Sequence, residues 1–241
     1  MRRTNILSFG AGVNSTAILI LSAQGKYPLD AVIFADTQCE RPETYQHIEQ
    51  NCKPLCEQLG IPFHIVSRGN LYDWYVYYKM IPVRMIRACT EKFKVTPIKK
   101  FLKKEYGENF TVVMGIDAGE SHRAERYKDK TDYAPMNFPL IDAGIDRDGC
   151  KKIIQDYGWE IPIKSGCFFC PFTRKIQWLD LLHNHRGLFL KAEMLEKQSR
   201  MYPQYTITNK SLEKIRESID LQKSLCEWVD TSEHGCVFCH E

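Results

Sequence analysis

The chain has 241 residues, 44% of them hydrophobic and 26% charged, with a formal net charge of +3. That length admits one α/β domain with an appended subdomain, or two small domains. No run approaches the ~20 apolar residues that cross a bilayer, and Met1-Arg2-Arg3-Thr4 leads into the first apolar run without a signal-peptide stretch; the expectation is a cytoplasmic protein with no membrane partner.

In chain order, Asn5-Ile6-Leu7 reads as a first strand and Ala17 to Ser22 as the helix after it. Ala31 to Ala35 reads as a second buried strand ending at Asp36-Thr37, and Arg41-Pro42 opens a helix expected to run to about Leu59. Pro62 to Val66 is a third strand. Residues 71–78 are rich in aromatics and read either as a packed surface helix or as a stacking platform for bases. Thr90 to Glu105 reads as a basic helix carrying Lys92, Lys94, Lys99, Lys100, Lys103 and Lys104, with Pro97 either in its first turn or breaking it. Phe110 to Met114 is a fourth strand, followed by a polar loop, Gly115 to Arg123. Residues 125–149 read as an irregular excursion, 151–158 as a short helix, and 174–230 as largely helical. Strands alternating with helices argue for a doubly wound, mostly parallel sheet. The expected division is 1–173 for the α/β domain and 174–241 for a helical subdomain with a cysteine-rich tail.

Ligands on such sheets sit at the carboxyl ends of strands. There, directly after the first strand, stand Ser8, Gly10, Gly12, Asn14, Ser15 and Thr16. Glycines let the backbone approach a ligand closely, the helix N-terminus attracts an anion, and the serines and threonine offer hydroxyls. The stretch reads as a phosphate cradle. No Gly-Lys-Ser/Thr follows, so it is not a Walker A loop, and Ser15 stands where a dinucleotide fingerprint has its third glycine.

Ten cysteines in a reducing compartment more often bind metal or do redox work than form disulfides. Cys167 and Cys170, flanked by Gly166 and Pro171, form a Cys-x-x-Cys knuckle, and Cys236 and Cys239 form a second. Together they have the outward form of a zinc ribbon, at a far longer spacing than usual.

Gly12-Val13-Asn14-Ser15 resembles the second half of the PP-loop of ATP pyrophosphatases, with Asn14 in place of the usual Asp. The longer stretch from Ser8 to Thr16 is most similar to the phosphoadenylyl-sulfate reductase-like branch. So are the Cys89-Thr90 to Pro97 segment, Arg147-Asp148-Gly149-Cys150, and Ser165 to Pro171. The resemblance implies an adenine nucleotide alpha hydrolase-like fold with a helical C-terminal cap. It also implies cleavage of ATP to AMP and pyrophosphate with Mg²⁺, and a [4Fe–4S] cluster on Cys89, Cys150, Cys167 and Cys170, with Cys236 or Cys239 as alternatives to Cys150 and Zn²⁺ as the alternative to the cluster.

By the same resemblance, the cradle residues hold the β and γ phosphates. Asp36 and Thr37 lie near the adenosine, or Asp36 helps to hold Mg²⁺; the bland reading of Asp36 is a helix cap. Gly115, Glu120 and Arg123 match a Gly-x-x-x-x-Glu-Ser-x-Arg loop that touches metal and phosphate; the bland reading of Glu120 and Arg123 is a surface ion pair. The catalytic set is thus Asn14, Ser15, Asp36, Glu120 and Arg123, and Lys92 and Lys94 would meet a second phosphate-bearing substrate. The leading function is activation of a nucleic acid for sulfur insertion, DNA phosphorothioate modification ahead of tRNA, with a sulfur donor such as a cysteine desulfurase as partner. A sulfonucleotide reductase comes second and a non-enzymatic nucleic-acid-binding module third.

Overall fold

The computed structural model describes residues 2–86, 88–128, 134–200, 204–208 and 210–230. The elements open with β1 (Thr4–Phe9), α1 (Val13–Ala23), β2 (Ala31–Asp36) and α2 (Pro42–His47). A π-helical turn over Ile48–Cys52 leads into α3 (Lys53–Gln58), β3 (Phe63–Ser67) and α4 (Leu71–Tyr77). Next come α5 (Ala88–Thr90), a second π-helical turn over Glu91–Val95, α6 (Thr96–Tyr106), β4 (Phe110–Met114) and a 3₁₀ turn, Ala118–Glu120. Then follow α7 (His122–Lys128), β5 (Met136–Asn137), α8 (Pro139–Asp142), α9 (Arg147–Asp156), α10 (Lys175–Asn184), α11 (Arg186–Gln198) and α12 (Leu212–Asp230).

The five strands form one all-parallel sheet in the order β3-β2-β1-β4-β5. Side chains alternate across it, as the period of two requires. Leu7, Phe9, Val32 and Phe34 enter one core with α1, Ile154 and Cys150 of α9, and Ile48, Leu55 and Cys56. Ile6, Ala31 and Ile33 enter the other, with Leu102 of α6 and Phe110. The doubly wound α/β arrangement read from the sequence is therefore the one observed. The strand order reverses between β1 and β4, and the crevice at that switch point is where open α/β sheets bind ligands.

α1 is buried from Val13 to Leu21. An Ile or Leu buried so fully contributes about 1.5–3 kcal/mol relative to exposure, so this helix is pinned by four aliphatic side chains from Ile18 to Leu21. Two regions differ from expectation. The stretch read as irregular over 125–149 contains α7, β5, α8 and the start of α9; α9 begins early because Asp146 caps it, accepting a hydrogen bond from Gly149 N at 2.8 Å. The helix expected from Arg41 to Leu59 is α2 and α3 joined by a π turn.

The chain forms two compact units, Met1–Leu71 with Ala88–Cys167 and Tyr72–Arg87 with Phe168–Glu241. The second thus includes an aromatic stretch from the first half of the sequence as well as the helices beyond residue 173. Within it, Tyr72 and Tyr75 pack edge-on or tilted against Phe168 and Phe169, at ring separations of 5.7–5.8 Å. Glu193 is buried and bonded to Arg216 and Lys197. Glu196 accepts from Ile207 N and Leu212 N, both at 2.7 Å, and burial raises its pKa. Among the described residues, no helix is long and apolar enough to cross a membrane.

Candidate nucleotide site

The loop between β1 and α1 is built almost wholly from main chain. Ala11 adopts φ 55°, a left-handed conformation that costs a non-glycine residue roughly 1–2 kcal/mol, and Gly12 precedes α1 in an extended conformation with no side-chain cap. The first-turn amides of α1 therefore face the loop uncapped. The Ser15 hydroxyl braces the turn, accepting from Gly10 N at 3.3 Å and donating to Gly12 O at 3.1 Å.

The loop after β4 closes the other side. A Cβ on Gly115 would stand 3.0 Å from Ser15 N and 3.3 Å from Asn14 C, tighter than nearly all real contacts. Only glycine fits between the two backbones. Asn14 ties the loops together: its Nδ2 donates to Gly115 O at 3.2 Å and to Asp117 Oδ2 at 2.9 Å, and its Oδ1 accepts from Arg147 Nη1 at 3.0 Å. Asp117 is 3% exposed.

The end of β2 adds a second cluster in the same unit. Asp36 Oδ1 accepts from Gln38 N at 2.7 Å and from the Tyr45 hydroxyl at 2.8 Å, fixing the turn. Burial, reinforced by this contact, pushes the Tyr45 phenol up. Thr37 is fully buried, with Oγ1 3.2 Å from Cys167 Sγ. Glu40, 4% exposed, accepts from Gly166 N at 2.5 Å and from Lys94 Nζ at 3.1 Å. Desolvation, with the Glu40 charge next, holds the Cys167 thiol well above its usual range. Ser165 bounds the cradle: a Cβ on Gly12 would meet its Oγ at 3.0 Å. The phosphate loop, the end of β2 and the start of the cysteine knuckle thus share one edge of the sheet.

Several expected site residues stand elsewhere or are otherwise engaged. The Thr16 hydroxyl is buried 3.1 Å from His47 Nε2 and its amide bonds Gly12 O, so neither is left for an anion. Ser8 is half-buried in β1, in register with Ile33 and Met114. Glu120 and Arg123 form a hydrogen-bonded pair with each other, both exposed. Lys94 is held by Glu40, while Lys92 is exposed.

Cys150 is 0% exposed in the core between α1 and α9, where burial, and then Asp117, push its thiol up to about 12. Helical periodicity turns its side chain into that core, while Cys167 lies beside Thr37; Arg147, the first residue of α9, reaches Asn14 from the same helix. Cys89 lies half-buried in α5, and Cys170 is half-buried at the start of the second unit. Among the described residues, no group of three or more His, Cys, Asp or Glu side chains is placed to hold a metal. Cys236 and Cys239 lie outside the described residues.

Glu40, Asp117 and Arg147 were not assigned roles from sequence. Glu40 sits beside Arg41-Pro42, where a charge reads as helix-start polarity, and nothing local signals that both are folded inward.

The phosphoadenosine phosphosulfate reductase domain matches residues 4–134, more than half of the chain. Two uncharacterized proteins of Methanocaldococcus jannaschii are similar to it. One is 27% identical over 197 residues, covering 76% of this chain and 45% of the relative; the other is 32% identical over 187 residues, covering 71% and 37%. The chain therefore spans less than half the length of either relative. Among solved structures, a phosphoadenylyl-sulfate reductase from Candida auris in a phosphate complex has a TM-score of 0.46 at 16% identity, covering 66% of this chain and 75% of that one. The U34-tRNA thiolase NcsA from Methanococcus maripaludis, with its [4Fe–4S] cluster, has a TM-score of 0.44 at 15% identity, covering 85% and 74%. On the strength of the domain match, this chain belongs to the phosphoadenosine phosphosulfate reductase domain family.

Proposed function

We propose that the protein is an ATP pyrophosphatase that activates a nucleic acid for sulfur insertion, with a DNA backbone as the leading acceptor. The observation that carries the reading is the uncapped first turn of α1 at the switch point of the sheet, against which Gly115 packs with no side chain between; we read the space before that turn as an amide-lined slot. The slot suits a triphosphate: uncapped amides and a helix dipole neutralise charge developing on a leaving diphosphate. Gly10, Gly12, Asn14 and Ser15 form it, and Gly115 sets its width. An acceptor oxygen attacks the α phosphorus, the α–β bridging bond breaks, and the electron pair leaves on pyrophosphate held there. Mg²⁺, when bound, would offset the charge of the phosphate chain. Asp36, already bonded to Gln38 and Tyr45, contributes chiefly by shaping the turn beside the adenosine.

The knuckle at Cys167 lies on the same edge, which favours a metal or cluster beside the site. Among the described residues, the donors do not complete a ligand set. A sulfur donor such as a cysteine desulfurase is the partner this chemistry requires. The family match favours a second reading, reduction of a sulfonucleotide, with Cys239 of the tail as nucleophile.

One sample tests both. Protein purified without oxygen is incubated with α-labelled ATP and Mg²⁺, with and without DNA, and separately with adenylyl sulfate and a thiol reductant. AMP and pyrophosphate are the expected products, lost on Ser15→Ala; ADP in their place overturns the reading. Sulfite from adenylyl sulfate, abolished by Cys239→Ser, would establish the reductase instead. Absorbance near 400 nm and iron content against zinc, measured on the same material, decide the metal.

A further inference from the structure

Arg147 is the exposed first residue of α9, and it reaches the cradle through a single neutral contact, its Nη1 to Asn14 Oδ1 at 3.0 Å. Asn14 is 7% exposed, and both of its amide hydrogens are committed, one to Gly115 O and one to Asp117 Oδ2. That commitment fixes which end of the amide faces Arg147: the oxygen must. Among the described residues, Arg147 makes no ion pair. A guanidinium held by an amide leaves more of its field and N–H donors to a ligand than one paired to a carboxylate, and here the adjacent Asp148 shares that field at longer range.

We infer that Arg147 is the phosphate-binding arginine of this site, and that Asp117 and Asn14 are the positioning residues that aim it across the first turn of α1. The inference rests on the proposed reading in that the ligand is a phosphate chain, and it adds the residue that discriminates a multiply charged leaving diphosphate from a neutral group. The relay has a defined polarity. Asp117 accepts from Asn14, Asn14 accepts from Arg147, and the remaining guanidinium N–H donors are left to a bidentate phosphate contact. An aspartate at position 14 would neutralise Arg147 as an ion pair and face the Asp117 carboxylate across a hydrogen-bond distance, so the amide is a functional choice at this position.

The test is calorimetric binding of inorganic pyrophosphate and of ATP with Mg²⁺ to the full chain, alongside product formation. Arg147→Ala should weaken pyrophosphate binding roughly 10- to 100-fold, the range for loss of charge-assisted hydrogen bonds, with little change in melting temperature because the side chain is exposed. Arg147→Lys should restore part of the loss. Asn14→Asp should weaken binding although it strengthens the hold on Arg147; a merely structural role for the network predicts that Arg147→Ala leaves pyrophosphate binding unchanged. Pyrophosphate affinity within twofold of wild type in Arg147→Ala overturns the inference, even if ATP still yields AMP. If Arg147→Ala loses pyrophosphate binding while wild type makes no AMP, the inference stands and the pyrophosphatase reading falls. Wild-type protein that binds neither ligand overturns both.

Discussion

A single hydrogen on Gly115 lets the loop after β4 pack against the first turn of α1. A methyl there would press on Ser15 N at 3.0 Å, and backbone on both sides leaves nothing flexible to yield. Gly115→Ala should lower the melting temperature by roughly 2–10 °C, from an overpacking penalty of about 1–3 kcal/mol in a chain of this size. It should lower ATP affinity by more than that stability change predicts, read by titration well below the melting transition; unchanged affinity would mean that the slot is not the phosphate site. At this scale the sequence was legible wherever the requirement is local. Gly10, Gly12 and Ser15 sit within one turn of each other, and their spacing alone declares a tight loop. Asp117 lay in plain view inside the loop after β4, but its partner, Asn14, is 103 positions away, and no pattern along the chain couples the two. Thr16 misled for the same reason: its hydroxyl is of the right kind, but its partner is His47, which only the packing of α2 on α1 supplies.

Among the elements, the two π turns share a cause. Each ends two residues before a proline, Pro54 and Pro97. A proline cannot donate to the carbonyl four residues back and its ring crowds it; a widened turn relieves both, and the helix continues. This resolves the ambiguity of Pro97, which sits in the first turn of α6 and does not end the helical run. The second turn also presents Lys94 to Glu40. At the first, His47 is packed against Thr16, Cys52, Asn51 and Trp159, and burial lowers its pKa below the usual value. The folded state therefore disfavours the protonated imidazole. The stability this represents is present above the unfolded pKa of about 6.5 and is lost as pH falls below it, at up to about 1.4 kcal/mol per pH unit. Denaturant midpoints between pH 7.5 and 5 should fall for wild type and fall less steeply for His47→Gln; parallel curves would remove His47 from the acid response. Of the elements missed by sequence, β5 and α8 are two and four residues long, too short for any period to register, and α7 spans seven, about two turns.

For the molecule as a whole, the fold class followed from the alternation of strands and helices, because burying both faces of a parallel sheet leaves few other arrangements. The ligand set for a metal did not follow, because four thiolates must converge from distant segments and one of the four, Cys150, is claimed by the core. The charge distribution adds a testable surface. Lys100, Lys103 and Lys104 are exposed on α6, the last two only loosely paired with Glu108 at 3.5 Å and Glu105 at 3.6 Å. If a nucleic acid is the acceptor, changing these three to glutamate should weaken binding and reduce the slope of log affinity against log salt by about 2–3. An unaltered slope would place the polyanion contact elsewhere.

The widened turn over Glu91–Val95 carries a consequence for how the chain tolerates length changes. Removing one residue there would let the segment close into an ordinary α-helix with all its ladder bonds except the one proline forbids, and the fold itself would survive. Because a π turn holds one residue more than the α turn it replaces, the segments on either side of the deletion would stay nearly in phase. If the residue removed is Lys94 itself, the buried Glu40 carboxylate keeps Gly166 N as its remaining described partner. The extra residue thus supplies one lysine to the cysteine-bearing edge, and a deletion in this stretch should be tolerated by the helix yet cost stability there, where Glu40 and Phe93 are buried.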